Sequence, residues 1–146
     1  MDANKLVDIL LIEDNPNDAE LTIRAFAKYK LANNIVHVHD GEQALDYLLA
    51  RNEYSGRDIG NRPRIILLDL NLPKINGLDV LRFIRSTPSI KLIPVIILTT
   101  SKEESDLMRG YDLGANSYIV KPVEFDKFVE VVKELGLYWL LLNELP

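Results

Sequence analysis

The sequence contains no cysteine. That excludes disulfides, thiolate metal sites and a cysteine nucleophile. It has no basic excess: 17 Lys and Arg stand against 22 Asp and Glu, a formal net charge of -5. A nucleic-acid surface needs the opposite balance. No apolar run approaches the roughly 20 residues that span a bilayer. The start, Met1-Asp2-Ala3-Asn4-Lys5, leads into an apolar stretch too short for a secretory signal, and that stretch ends in acids. There is no internal repeat and no low-complexity segment. Together these absences predict a soluble, cytoplasmic chain. What is present is 146 residues with 47% hydrophobic content. That suits one domain, 1–146, with its own core.

The centre of the sequence is Ile65-Ile66-Leu67-Leu68-Asp69-Leu70-Asn71-Leu72-Pro73. An unbroken aliphatic run of this kind predicts a strand buried on both faces. An acid where such a strand ends lies where open α/β sheets place their chemistry.

Other short apolar runs follow the same plan. Val7 to Ile12 ends in Glu13-Asp14. Asn15-Pro16 then reads as a helix start, with Asn at the N-cap and Pro at the first helical position. Ala19, Ile23, Phe26 and Ala27 give that helix an apolar face. Ile35 to His39 alternates as a strand, and Glu42 to Ala50 reads as a helix. Arg51 to Arg64 is polar and glycine-bearing, an extended surface loop or a helix extension. After Asp69, Asn76-Gly77 opens a helix over Leu78 to Arg85. Ile93 to Leu98 is a fourth strand ending in Thr99-Thr100-Ser101. Glu103 to Leu113 is a helix closed by Gly114. Asn116 to Val120 is a fifth strand running into Lys121-Pro122. A last helix starts near Glu124 and continues towards Leu142. Alternation of β and α five times predicts a doubly wound parallel sheet with right-handed crossovers and helices on both faces.

In a parallel sheet these strand ends share one edge. Glu13, Asp14, Asp69, Thr99 and Lys121 therefore converge. Carboxylates so close repel by about 4 kcal/mol per pair at an effective dielectric near 20. Lys121 supplies one offsetting charge, and a divalent cation with oxygen ligands would supply two. Carboxylates, a carbonyl and waters suit Mg²⁺. A carboxylate beside Mg²⁺ is a nucleophile for a phosphoryl group. Glu13 and Asp14, being adjacent, reach one metal only if the strand has ended before them. His37 and His39 share a strand face without a third ligand, which predicts a structural or exposed pair.

The set Glu13-Asp14, Asp69 with Leu70-Asn71-Leu72-Pro73, Gly77, Thr99-Thr100, Tyr118 and Lys121-Pro122 resembles the receiver domain of two-component response regulators. The resemblance covers nearly the whole chain and implies a flavodoxin-like fold with strand order 2-1-3-4-5. It implies that Asp69 accepts the phosphoryl group. It implies that Glu13, Asp14, Asp69 and the backbone carbonyl of Asn71 hold Mg²⁺. Thr99 would be the switch hydroxyl, Tyr118 the aromatic that moves with it, and Lys121 the partner of the acyl phosphate. The Lys121-Pro122 bond would be cis. The first acid is Glu13 where aspartate is commoner. The Leu68–Pro73 run, the 51–64 insertion and Leu137-Tyr138-Trp139-Leu140 are also similar to stand-alone receivers that serve phytochrome kinases. A histidine kinase is the implied donor.

Two competing functions were weighed on the residues. A haloacid-dehalogenase-like phosphatase needs a second acid two residues after its nucleophile, and Asn71 stands there. A phosphate-independent receiver-like binding module would lack the acid pair, Asp69 or Lys121, and all are present. The chain is expected to catalyse only its own phosphorylation and dephosphorylation. With no second domain after Pro146, its output is expected to be a protein contact. The apolar C-terminal extension, about 136–146, exceeds what one sheet face can cover, so it either folds back and packs or is a partner surface; the similarity to phytochrome-type receivers implies homodimerisation through it.

Overall fold

The structure, a computed structural model, describes residues 9–27, 35–104 and 114–137. Five strands, β1 (Ile9–Ile12), β2 (Ile35–Val38), β3 (Ile65–Asp69), β4 (Val95–Thr99) and β5 (Ser117–Val120), form one parallel sheet in the order β2-β1-β3-β4-β5. Helices α1 (Pro16–Ala27), α2 (Gly41–Leu48), α3 (Gly77–Ser86) and α4 (Phe125–Glu134) cover it. A further helical stretch opens at 102–104, and the rest of the helix expected to Leu113 lies outside the described residues. No described helix is long and apolar enough to cross a membrane.

Alternation along the strands builds two cores. Leu10, Ile12, Ile66, Leu68, Val95 and Ile97 pack with Leu45, Leu48, Val80 and Ile84 of α2 and α3. Ile9, Leu11, Ile65, Leu67, Ile96 and Leu98 pack with Ala19 and Phe26 of α1 and with Phe128 and Val132 of α4. β1, β3 and β4 are buried at every position and aliphatic up to their last residue, because both of their faces are covered. This is the doubly wound arrangement that the alternation of elements implies.

The helices start where the strands end, and three of the starts are fixed by side chains. Asn15 Oδ1 accepts from the amides of Asn17 (2.9 Å) and Asp18 (3.1 Å). Asp40 Oδ1 accepts from Gln43 N at 2.7 Å. Asn76 Oδ1 accepts from Asp79 N at 3.0 Å. Such caps satisfy amides that the first turn leaves without partners. Gly77 seats α3 against the exit of β3. A Cβ there would lie 2.6 Å from Asp69 O and 2.7 Å from Leu70 O.

Several boundaries differ from the sequence expectation. The last helix does not run unbroken towards Leu142. It ends at Glu134. Gly136 takes φ +74, its amide donates to Lys133 O (3.0 Å), and Leu137 N donates to Val132 O (2.9 Å). This pair of bonds is a Schellman stop, with Leu137 packed into the same core as Val132. Residues 138–146 lie outside the described residues. In α4, Val131 and Leu135 flank the buried stripe of Phe128 and Val132. On α1, Ala27 is exposed and Thr22 takes the inward place, its hydroxyl satisfied by Asp18 O at 3.1 Å. The Arg51–Arg64 insertion is a loop with one 3-10 turn, not a helix extension. Ala50 and Asn52 both adopt positive φ there and stop α2. Arg57 then stacks 3.8 Å over the Tyr47 ring and bonds the carbonyls of Tyr47 and Asn61, closing the loop onto α2.

Gly77→Ala is expected to cost about 2–3 kcal/mol of unfolding free energy, because its Cβ meets main-chain atoms that cannot turn aside. Gly56→Ala, with nothing within 4 Å of the added Cβ, is expected to change it by less than about 0.5 kcal/mol. Urea unfolding midpoints of the two variants check both values.

Candidate functional site

β1 ends at Ile12, so Glu13 and Asp14 lie beyond the regular strand and escape its alternation. Ile12 pairs with Leu68 across the sheet, which brings Glu13 level with Asp69. Carboxylate oxygens of Glu13, Asp14 and Asp69 all lie within 4.8 Å of one another. Glu13 and Asp69 are buried and Asp14 is exposed.

Lys121 follows β5 and enters the same cluster. Its Nζ lies 3.0 Å from Glu13 Oε1, 3.0 Å from Asp69 Oδ2 and 3.1 Å from Asp18 Oδ2. Burial works against the ammonium, but the hydrogen bonds to these carboxylates outweigh it and hold its pKa above the ordinary lysine value. The Lys121-Pro122 bond is cis. Asp69 Oδ1 accepts from Asn71 N at 3.0 Å, so both carboxylate oxygens of Asp69 carry a donor.

Glu13 responds in the opposite sense to an ordinary surface acid. Burial first, and then its hydrogen bond and repulsion with Asp69, push its pKa from 4.5 up to about 8, against the pull of Lys121. One lysine therefore does not neutralise this cluster. The donor set is hard oxygen throughout, and one of its acids faces solvent. A divalent cation with oxygen preference fits that set.

Thr99 and Tyr118 stand on the other face of the sheet. Tyr118 pairs with Ile97 in the β4–β5 register and packs in the core under α2 and α3. Thr99 follows Val95 and Ile97 in the alternation, is fully buried, and donates to Ser101 O at 3.2 Å. The structure thus brings Glu13, Asp14, Asp69 and Lys121 together and puts Thr99 at the end of the next strand. Asn71 is exposed in the loop after Asp69.

Three further residues support the site, of which His37 is the one the sequence reads as structural or exposed. Asp18 is the third partner of Lys121, 103 residues away along the chain. His37 Nε2 meets the Glu13 carbonyl at 2.8 Å, which makes this histidine structural. Glu104 accepts from Thr100 N and donates its own amide to Ser101 Oγ, both at 3.1 Å. The Ser101-x-x-Glu104 spacing is a legible cap signal that steadies the loop after Thr99.

The response regulator receiver domain family matches residues 9–133. The chain belongs to that family. Among curated relatives, the receiver is 43% identical to the probable methanogenesis regulatory protein FilR2 of Methanothrix harundinacea, over 94% of this chain and 86% of that one. It is 36% identical to the response regulator Rcp1 of Synechocystis sp., over 94% and 92% of the two chains. Among solved structures, the bacteriophytochrome response regulator AtBRR superposes with a TM-score of 0.84 at 48% identity, covering 92% of this receiver and 96% of that chain. The phosphorylated cyanobacterial phytochrome response regulator RcpA gives 0.72 at 40%, covering 93% and 95%. Rcp1 has been solved in an Mn²⁺-bound form, at TM-score 0.70 and 35% identity over 92% and 94%.

The Glu13 shift sets a pH dependence. The folded receiver keeps a proton on Glu13 that the unfolded chain releases near 4.5. Stability of the metal-free protein is therefore expected to fall as pH rises from about 4.5 to about 8. Urea midpoints in chelator at about pH 5.5 and about pH 8 check the direction, and Glu13→Gln is expected to flatten the slope.

Proposed function

We propose that this receiver is a phosphoryl-accepting switch whose acceptor is Asp69. The observation that carries this reading is the buried Asp69 carboxylate, held by the Lys121 ammonium at 3.0 Å beside two further acids. An Asp69 oxygen attacks phosphorus of a phosphohistidine on a histidine kinase. A P–O bond forms, the P–N bond breaks, and the imidazole nitrogen keeps the electron pair. Lys121 then faces an acyl phosphate in place of a carboxylate, and offers an N–H to a phosphoryl oxygen.

Glu13, Asp14, Asp69 and the carbonyl of Asn71 would hold Mg²⁺. When bound, it supplies positive charge to the equatorial oxygens of the transferring group. Thr99 gives its hydroxyl to the phosphoryl group, and Tyr118 responds from the same face. The receiver works in the cytoplasm as a signalling protein rather than a metabolic enzyme. The similarity to the phytochrome response regulators AtBRR and RcpA supports a phytochrome-type kinase as its donor. The apolar run Tyr138-Trp139-Leu140-Leu141-Leu142, beyond the clamped Leu137, is the surface through which two copies pair.

Incubation with Mg²⁺ and acetyl phosphate is expected to add one phosphoryl group to the intact mass. The gain should vanish in Asp69→Asn and in chelator. An unchanged wild-type mass would return the chain to a phosphate-independent binding module. Sedimentation at micromolar concentration is expected to give a dimer mass. A monomer mass in both phosphorylation states would remove the pairing.

A further inference from the structure

We infer that Asp18 is a positioning residue for Lys121. It anchors the ammonium from outside the set of acids that a metal would claim. An ammonium has three N–H donors. Lys121 Nζ has three carboxylate acceptors, Glu13, Asp69 and Asp18, at 3.0, 3.0 and 3.1 Å. Two of those acceptors change role in the proposed chemistry. Glu13 belongs to the metal-capable cluster, and Asp69 becomes an uncharged acyl group on its carbonyl side. Asp18 belongs to neither role.

Its place in the fold suits an anchor. It sits in the first turn of α1, where Asn15 Oδ1 holds its amide at 3.1 Å and Thr22 Oγ1 donates to its carbonyl at 3.1 Å. Its main chain is therefore fixed from both sides. Its side chain is 37% exposed against 16% for Lys121, so it caps the lysine on the solvent side. With one N–H on Asp18 and one on Asp69, the third N–H released by Glu13 has one direction left, towards an incoming phosphoryl oxygen. Without Asp18 the ammonium is free to turn on a flexible stem.

This inference rests on the phosphoryl-acceptor reading for its functional consequence, and its test separates the two. Acetyl phosphate transfers its phosphoryl group to Asp69, the donor P–O bond breaks, and acetate leaves with the electron pair. At saturating Mg²⁺ and donor, Asp18→Asn and Asp18→Ala are expected to be phosphorylated about tenfold more slowly, the worth of one charge-assisted hydrogen bond. Asp18→Glu, which keeps a carboxylate, is expected to recover most of the rate. If Asp18 only repelled the incoming anion, the Asn and Ala variants would react faster than wild type, and that outcome overturns the inference. An unchanged rate overturns it as well.

The second readout needs no phosphorylation. The ¹⁵Nζ ammonium resonance of Lys121 in the metal-free protein should be observable in wild type and in Asp18→Glu, and lost to solvent exchange in Asp18→Asn. A signal indifferent to residue 18 removes the anchor. A wild type that takes no phosphoryl group removes the acceptor reading, and the resonance alone then decides the contact. Every variant keeps the main-chain contacts of residue 18, so an unchanged helical circular dichroism spectrum certifies the fold.

Discussion

The Lys121 ammonium is the charge on which the sheet's C-terminal edge depends. The aliphatic strands β1 and β3 deliver Glu13 and Asp69 into a space that water barely enters, and two buried carboxylates so close cannot both ionise without a cation between them. Lys121 supplies it by reaching back from β5 across β4 to β3 and β1. Even so, Glu13 is left with a strong preference for a proton. Neutralisation by Lys121 alone is incomplete, and the hard-oxygen donor set of Glu13, Asp14 and Asp69 fits a further cation.

The scaffold makes that tension affordable. Both faces of the sheet are sealed by apolar helices, and the polar residues are confined to positions after the strands. Side-chain caps hold the first turns of α1, α2 and α3 at the same edge. Gly77 permits α3 to begin directly against the Asp69 carbonyl, so the loop carrying Asn71 is tight. The two faces divide the labour. Glu13, Asp69 and Lys121 lie on the side of α1 and α4, and Thr99 with Tyr118 on the side of α2 and α3. A change at the cluster must pass through the sheet edge to reach the aromatic.

Much of this was legible in the sequence, because it rests on local rules. Unbroken aliphatic runs ending in acids gave the buried strands and their active edge, and Asn15-Pro16 and Asn76-Gly77 marked two helix starts. Other features depend on distance in space. Asp18 looked like an ordinary acid in a helix's first turn, a place where the dipole alone explains it, and nothing local says that a lysine 103 residues on will lie over it. The end of α4 was misjudged for a different reason. Apolar residues after Gly136 read as continuing helix, but a glycine followed by leucine also fits a stop in which the leucine folds back onto the core. The stacking of Arg57 on Tyr47 had no signal in periodicity at all.

That stop has a geometric consequence. Each helix returns antiparallel to its strand, so α4 begins beside the acid cluster and finishes at the opposite edge of the sheet. Leu137 is clamped there by its bond to Val132 O. Whatever is joined beyond it, a natural segment or a fused fluorescent reporter, departs from a fixed point on the far pole of the molecule. A message from the acids to that point has to travel the full height of the sheet.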